Sequence, residues 1–204
     1  MIDFNKAQFI RSYGFSDDLG HSTEKEICFC GRSNVGKSSL LNKICNRKSL
    51  AKVGSMPGKT TTINFFTAGA GYILADLPGY GYAKRSFQEK QRWAKLMEHY
   101  FSSDRKIILV VLLLDMRHNP SEDDLQMLDF LMQTNTPFMV VLTKKDKLNK
   151  TDQKQNLEDF KMLLKPYRPI DVLPFSSLEN DTAVNVRKTI VEIVLKREEI
   201  NDTE

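Results

Sequence analysis

Gly31, Arg32, Ser33, Asn34, Val35, Gly36, Lys37 and Ser38 satisfy the spacing G-x-x-x-x-G-K-[ST]. Glycines at these places let the backbone wrap an anion with its N–H groups, and a helix opening here adds its positive end. In such a loop Lys37 reaches the β- and γ-phosphates of a nucleoside triphosphate, and the Ser38 hydroxyl ligates Mg²⁺. Asp76, Leu77, Pro78 and Gly79 form a second set. The carboxylate can hold Mg²⁺ through water, and Gly79 has no Cβ to keep its N–H from a γ-phosphate. Thr143, Lys144, Lys145 and Asp146 fit the pattern [NT]-K-x-D. A carboxylate there accepts two hydrogen bonds, from N1–H and the 2-amino group of guanine, a donor pair that adenine lacks. Asp146 is therefore the specificity residue, and the aliphatic stem of Lys144 covers the base. Phe175, Ser176 and Ser177 end a strand and suit a backbone N–H contact to guanine O6. Pro57, Gly58, Lys59, Thr60, Thr61 and Thr62 make a loop that can carry a threonine hydroxyl to Mg²⁺. Thr60 is the first choice for that ligand, with Thr61 and Thr62 as competitors.

Such groups need strand ends to hold them. Short apolar runs at 27–30, 63–67, 72–75, 107–114, 138–142 and 172–175 read as strands. Amphipathic stretches at 40–45, 86–101, 121–134, 151–165 and 181–197 read as helices, with Pro166 closing the fourth. The order is β-α-β-β-α-β-α-β-α-β-α. Strands alternating with helices predict an α/β fold, a mostly parallel six-stranded sheet with helices on both faces. The tight turn at 68–71 makes one strand antiparallel. Ligands of open sheets of this class sit at the carboxyl ends of the strands, where every motif above should lie.

The chain has 204 residues, which suits one domain with a sizeable core. The expected division is an N-terminal extension at 1–23 packing on the domain, a nucleotide-binding domain at 24–197 and a frayed tail at 198–204. Hydrophobic residues make up 41% and charged residues 27%, which excludes a disordered or collagenous chain. Three scattered Cys do not make a disulfide framework, so a reducing cytoplasm is expected. No secretory leader or membrane segment is read, and the expected state is a monomer. Residues 27–106 carry 14 basic and 4 acidic side chains, a balance of +10, against −6 for the rest. Between Glu26 and Asp76 stand seven Lys or Arg and no acid, so this half is expected to face an anionic partner.

Beyond the general motifs, several stretches resemble the EngB (YihA/YsxC-type) ribosome-biogenesis GTPases. They are residues 31–42, Pro57-Gly-Lys-Thr60 with Ile63-Asn-Phe-Phe66, Asp76-Leu-Pro-Gly-Tyr-Gly-Tyr-Ala83, Asp115-Met-Arg-His-Asn-Pro120, and residues 143–146. The resemblance covers about residues 3–197; Thr61 stands where Gln is common, and Ser177 where Ala is common. It implies the Ras-like GTPase form of the P-loop NTPase fold, binding of GTP and GDP with Mg²⁺, and a cytoplasmic role in assembly of the large ribosomal subunit, on its rRNA or its proteins. It also implies a link with cell division and septation.

Tyr80 occupies the place where Ras-like enzymes carry a Gln that orients the attacking water. Intrinsic turnover is therefore expected to be slow, of the order of 10⁻³ s⁻¹ or less. The resemblance extends to GTPases whose phosphate-loop Asn ligates K⁺ beside the β/γ bridge, which puts Asn34 with Lys37 and Thr60 among the catalytic candidates. Two other functions stay open: a P-loop ATPase or kinase, with no guanine preference, and an RNA-binding module with little catalysis. Cys28 and Cys30 lack the second pair a tetrahedral metal site needs and read as buried hydrophobes. Lys84, Arg85, Lys90, Arg92 and Lys95 follow the second motif and are the expected RNA-facing side chains.

Overall fold

A computed structural model describes residues 2–51, 62–81 and 86–201. Its strands are β1 (Phe9–Tyr13), β2 (Lys25–Gly31), β3 (Ile63–Thr67), β4 (Tyr72–Asp76), β5 (Lys106–Asp115), β6 (Phe138–Thr143) and β7 (Val172–Pro174). Its helices are α1 (Lys37–Ile44), α2 (Phe87–Ser102), α3 (Glu122–Gln133), α4 (Lys150–Leu164) and α5 (Asn180–Asn201). The strands form one sheet in the order β1-β3-β4-β2-β5-β6-β7. β3 pairs antiparallel with both β1 and β4, and the pairs β2–β4, β2–β5, β5–β6 and β6–β7 are parallel. One strand thus runs against the others, as the short turn requires. The sheet has seven strands where six were expected, because β1, in the N-terminal segment, adds to the β3 edge.

The eight apolar residues of β5 serve both faces. Leu109, Val111 and Leu113 enter one core with Phe29, Leu40, Ile44, Val186 and Ile190, under α1 and α5. Val110, Leu112 and Leu114 enter the other with Leu96, Tyr100, Leu128 and Phe160, under α2, α3 and α4. Cys28 and Cys30 lie in this second core. Ser86 and Ser121 open α2 and α3 with reciprocal capping boxes to Glu89 and Asp124.

The end of the sheet opposite the nucleotide motifs is pinned by a buried ion pair. Glu26 is fully buried; it accepts from Arg105 Nη2 at 2.6 Å, from Arg105 Nε at 3.0 Å and from the Tyr100 hydroxyl at 2.6 Å. The Arg105 guanidinium also lies over the rings of Phe65 and Tyr100.

Candidate nucleotide-binding site

Gly31, Asp76, Asp115 and Thr143 are the last residues of β2, β4, β5 and β6, and Phe175 follows β7 directly. Parallel neighbours ending together put these groups along one rim, the carboxyl edge of the sheet.

At the phosphate loop, Gly31 passes so close to β5 that a Cβ on it would stand 2.7 Å from Leu113 O. Asn34 (φ 62°) and Gly36 (φ 115°) take left-handed backbone, and Gly36 is the N-cap of α1. Lys37 and Ser38 thus start α1 with its N-terminus turned into the loop. The second motif is stitched to the first: Leu77 N–H donates to Phe29 O at 3.0 Å, and Ser33 N–H to Tyr80 O at 2.9 Å. Gly79 lies against Ser33, where a Cβ would meet the Ser33 N at 2.9 Å and Cα at 3.0 Å.

Lys37 Nζ donates to Asp76 Oδ1, with both side chains largely buried. Asn64 Nδ2 reaches the other Asp76 oxygen at 3.4 Å, and the Asn64 carbonyl accepts from Ser12 at 2.7 Å and Thr62 at 3.3 Å. Asn64 is a site neighbour the motifs did not single out; its signal is a polar side chain inside an otherwise apolar strand. Gly58, Lys59, Thr60 and Thr61 lie outside the described residues, as do Lys84 and Arg85.

At the base-reading end, the buried Thr143 hydroxyl stands 2.6 Å from Val35 O and 3.1 Å from Leu114 O, tying this loop to the phosphate loop. Asp146 Oδ1 accepts from Ser176 Oγ at 2.8 Å, and Ser176 Oγ accepts from Leu178 N–H at 3.0 Å. The Ser176 main-chain N–H donates to Thr182 Oγ1 at 3.0 Å. It is thereby engaged, whereas Ser177 is exposed at the turn. Lys145 turns away from Asp146 and pairs with Glu179.

Lys144 has left-handed backbone, and its Nζ donates to Asp115 Oδ2 at 2.8 Å. Asp115 also accepts from Arg117 Nε at 2.9 Å, Nη2 at 2.8 Å and the main-chain N–H at 3.1 Å. Burial pushes the Asp115 carboxyl up, but the hydrogen bonds from Arg117 and Lys144 outweigh it and hold the group well below the usual carboxylate range. The turn at 115–120 therefore anchors the lysine assigned to the base. Spacing in the sequence gave that turn no role of its own.

Leu77, Val35 and Phe175 put their side chains in the core, leaving main-chain atoms to serve a ligand. Tyr80 is buried as well, and its hydroxyl donates to Asp124 Oδ1 at 2.8 Å. Trp93, on α2, donates from Nε1 to Pro78 O at 3.0 Å, so an indole reads the position of the second motif. Lys90 and Lys95 are exposed on α2, but the Arg92 guanidinium lies 5.1 Å over the Phe15 ring, in contact with the N-terminal segment.

For Mg²⁺, a serine hydroxyl and a carboxylate beside a phosphate loop are hard oxygen donors, the kind this ion takes together with substrate phosphates. Among the described residues no group of three or more His, Cys, Asp or Glu could hold a metal. A metal here would therefore complete its shell with nucleotide and water.

A P-loop whose neighbouring strand ends carry a Mg²⁺ carboxylate and a guanine-reading aspartate defines a GTPase. The family model described as 50S ribosome-binding GTPase matches residues 26–144. The chain is 45% identical to the probable GTP-binding protein EngB of Petrotoga mobilis, over 93% of this chain and 96% of that one. It is 44% identical to the protein of that name from Syntrophomonas wolfei, over 95% and 99%. A crystal structure of a probable GTP-binding protein EngB superposes with TM-score 0.69 at 21% identity, covering 84% of this chain and 99% of that one. Aquifex aeolicus Era bound to GDP·AlF₄⁻ superposes at 0.65 with 20% identity, over 84% and 57%. The chain belongs to the EngB family of GTP-binding proteins and is a GTP hydrolase. Among the described residues no helix is long and apolar enough to cross a membrane.

Proposed function

We propose that this GTPase is a cytoplasmic nucleotide switch in assembly of the large ribosomal subunit, with slow intrinsic hydrolysis. One observation carries the nucleotide part: Lys37, Asp76, Asp146 and Ser176, remote in sequence, meet along one rim and bond to one another in pairs. In this reading the residue 31–38 loop and Lys37 bind the phosphates, and Asp146 reads guanine. The O6 contact falls to the Ser177 N–H, since that of Ser176 is held by Thr182. Ser38, Asp76 and Thr60 would hold Mg²⁺, which neutralises charge on the phosphates when bound. Asn34 would take K⁺. Lys37 and Asp76 bond to each other across the rim, so nucleotide binding separates them: Lys37 turns to the phosphates and Asp76 to the metal's water shell.

Slow hydrolysis is supported by Tyr80, whose hydroxyl is committed to Asp124 inside the core. The ribosomal role is supported by the family description and by the basic half of the chain. The septation link of the resembling family is assigned to the same switch.

Two measurements test the proposal. Asp146→Asn should exchange preference for guanine for preference for xanthine nucleotides; unchanged choice would sink the base assignment. Large subunits should co-sediment with the protein more strongly under a GTP analogue than under GDP. Equal recovery in both states would remove the switch.

A further inference from the structure

The face of the sheet covered by α1 and α5 lies opposite α2. It carries three cations whose nitrogens end on neutral oxygens. Lys43 Nζ donates to Asn180 Oδ1 at 2.9 Å, Arg47 Nη2 to the Asn5 main-chain oxygen at 3.1 Å, and Arg187 Nη1 to Asn5 Oδ1 at 3.1 Å. Among the described residues none of the three forms an ion pair with a carboxylate. Two guanidiniums thus share one asparagine. Like charges held together without a counter-charge repel, and a bound anion relieves that repulsion.

The scaffold beneath these cations is rigid. Lys43 and Arg47 are four apart at the end of α1; Asn180 and Arg187 are seven apart on α5, so each pair shares a helix face. Arg187 stacks 5.5 Å over the ring of Phe4, which is buried in the core beneath. Exposed Lys48 continues the row.

We propose that Lys43, Arg47 and Arg187 bind the phosphodiester backbone of RNA, as a fixed contact independent of the bound nucleotide. The choice of RNA as the anion rests on the ribosomal reading above. Guanidinium forks suit phosphate oxygens, and a row of cations suits the regular phosphates of a strand. The independence follows from position: none of the three belongs to the phosphate loop or to the segment after Asp76. Lys90 and Lys95, on the other side of the sheet, stand beside that segment and form the nucleotide-dependent contact.

The test uses the full chain carrying Lys43→Gln, Arg47→Gln and Arg187→Gln together. Glutamine keeps an amide donor for the asparagine oxygens and removes the charge. Binding to deproteinised large-subunit RNA is measured across a salt series, in GDP and in a GTP analogue. The slope of log K against log salt should fall by about 0.7 for each phosphate no longer neutralised, so by about two for the triple variant, equally in both nucleotides. GDP affinity should not change, and Arg47→Lys with Arg187→Lys should keep the slope. An unchanged slope, a loss in only one nucleotide state, or a parallel loss of GDP affinity overturns the proposal. So does loss of binding to phosphatidylglycerol vesicles with RNA binding intact, or a wild-type protein that binds no RNA. RNA binding that depends on the row in a protein that ignores large subunits would support the row and refute the ribosomal reading.

Discussion

Removing the Asp115 carboxylate should weaken GDP and GTP equally, without touching the phosphate site. Asp115 receives Lys144 Nζ at 2.8 Å and three donors of Arg117 at 2.8–3.1 Å, with its own side chain 22% exposed. This holds the Lys144 side chain outstretched before any base arrives. In Asp115→Ala both partners, 30% and 35% exposed, return to water, so folding is spared. What disappears is preorganisation: Lys144 must be ordered at the moment of binding, at about 0.5–1.5 kcal/mol for a rotamer-rich side chain. That predicts a rise in Kd of about two- to twelvefold. Asp115→Asn keeps one accepting oxygen and should fall between wild type and Ala. Titration with fluorescent GDP and a non-hydrolysable GTP analogue measures both constants. An unchanged Kd, or a loss for the triphosphate alone, would refute the reasoning. The pH dependence has a definite sign. The folded carboxyl titrates below its ordinary range, so its contribution is complete above the unfolded value of about 4 and is lost only as pH falls through the lower folded value. GDP affinity should therefore show no Asp115-dependent step between neutral pH and about pH 5.

Thr143→Val keeps the volume but leaves the Val35 and Leu114 carbonyls without their buried donor, and should destabilise the fold by about 1–3 kcal/mol in urea unfolding. Gly79→Ala drives a Cβ against Ser33 backbone atoms at 2.9–3.0 Å, which no rotamer relieves. Trp93 emission should shift through its bond to Pro78 O, and affinity for a GTP analogue should fall more than for GDP; equal affinities would contradict this. Arg105→Met strands Glu26 in the core and should lower stability by about 3–5 kcal/mol, read by chemical denaturation. Burial pushes the Cys30 and Cys45 thiols up to about 12, so a thiol reagent at mildly alkaline pH should label them only after unfolding.

Much of the fold was legible because the signals are local. The apolar run of β5 and the Ser86 and Ser121 caps each announce themselves within a few residues. β1 did not. Its side chains stay mostly exposed, and a register shift between Phe9 and Arg11 breaks what alternation there is. It is a strand because β3 offers it an edge, which no window of sequence contains. Arg92 behaves in the same way: in sequence it is one of five cations after the second motif, whereas in the fold it is spent on Phe15.

The sequence by itself determined the chemistry at each strand end. A phosphate loop, a Mg²⁺ carboxylate and a guanine-reading aspartate are each encoded by residue types a few positions apart, since a loop wraps its ligand locally. Tertiary structure decided how those pieces hold one another. Thr143 reaches Val35 across 108 positions, Ser176 reaches Asp146 across 30, and Asp115 reaches Lys144 across 29. These contacts depend on β2 lying between β4 and β5, with β6 beyond. Strand order is set by burying the two faces of β5 at once, a property of the whole packed chain rather than of any segment.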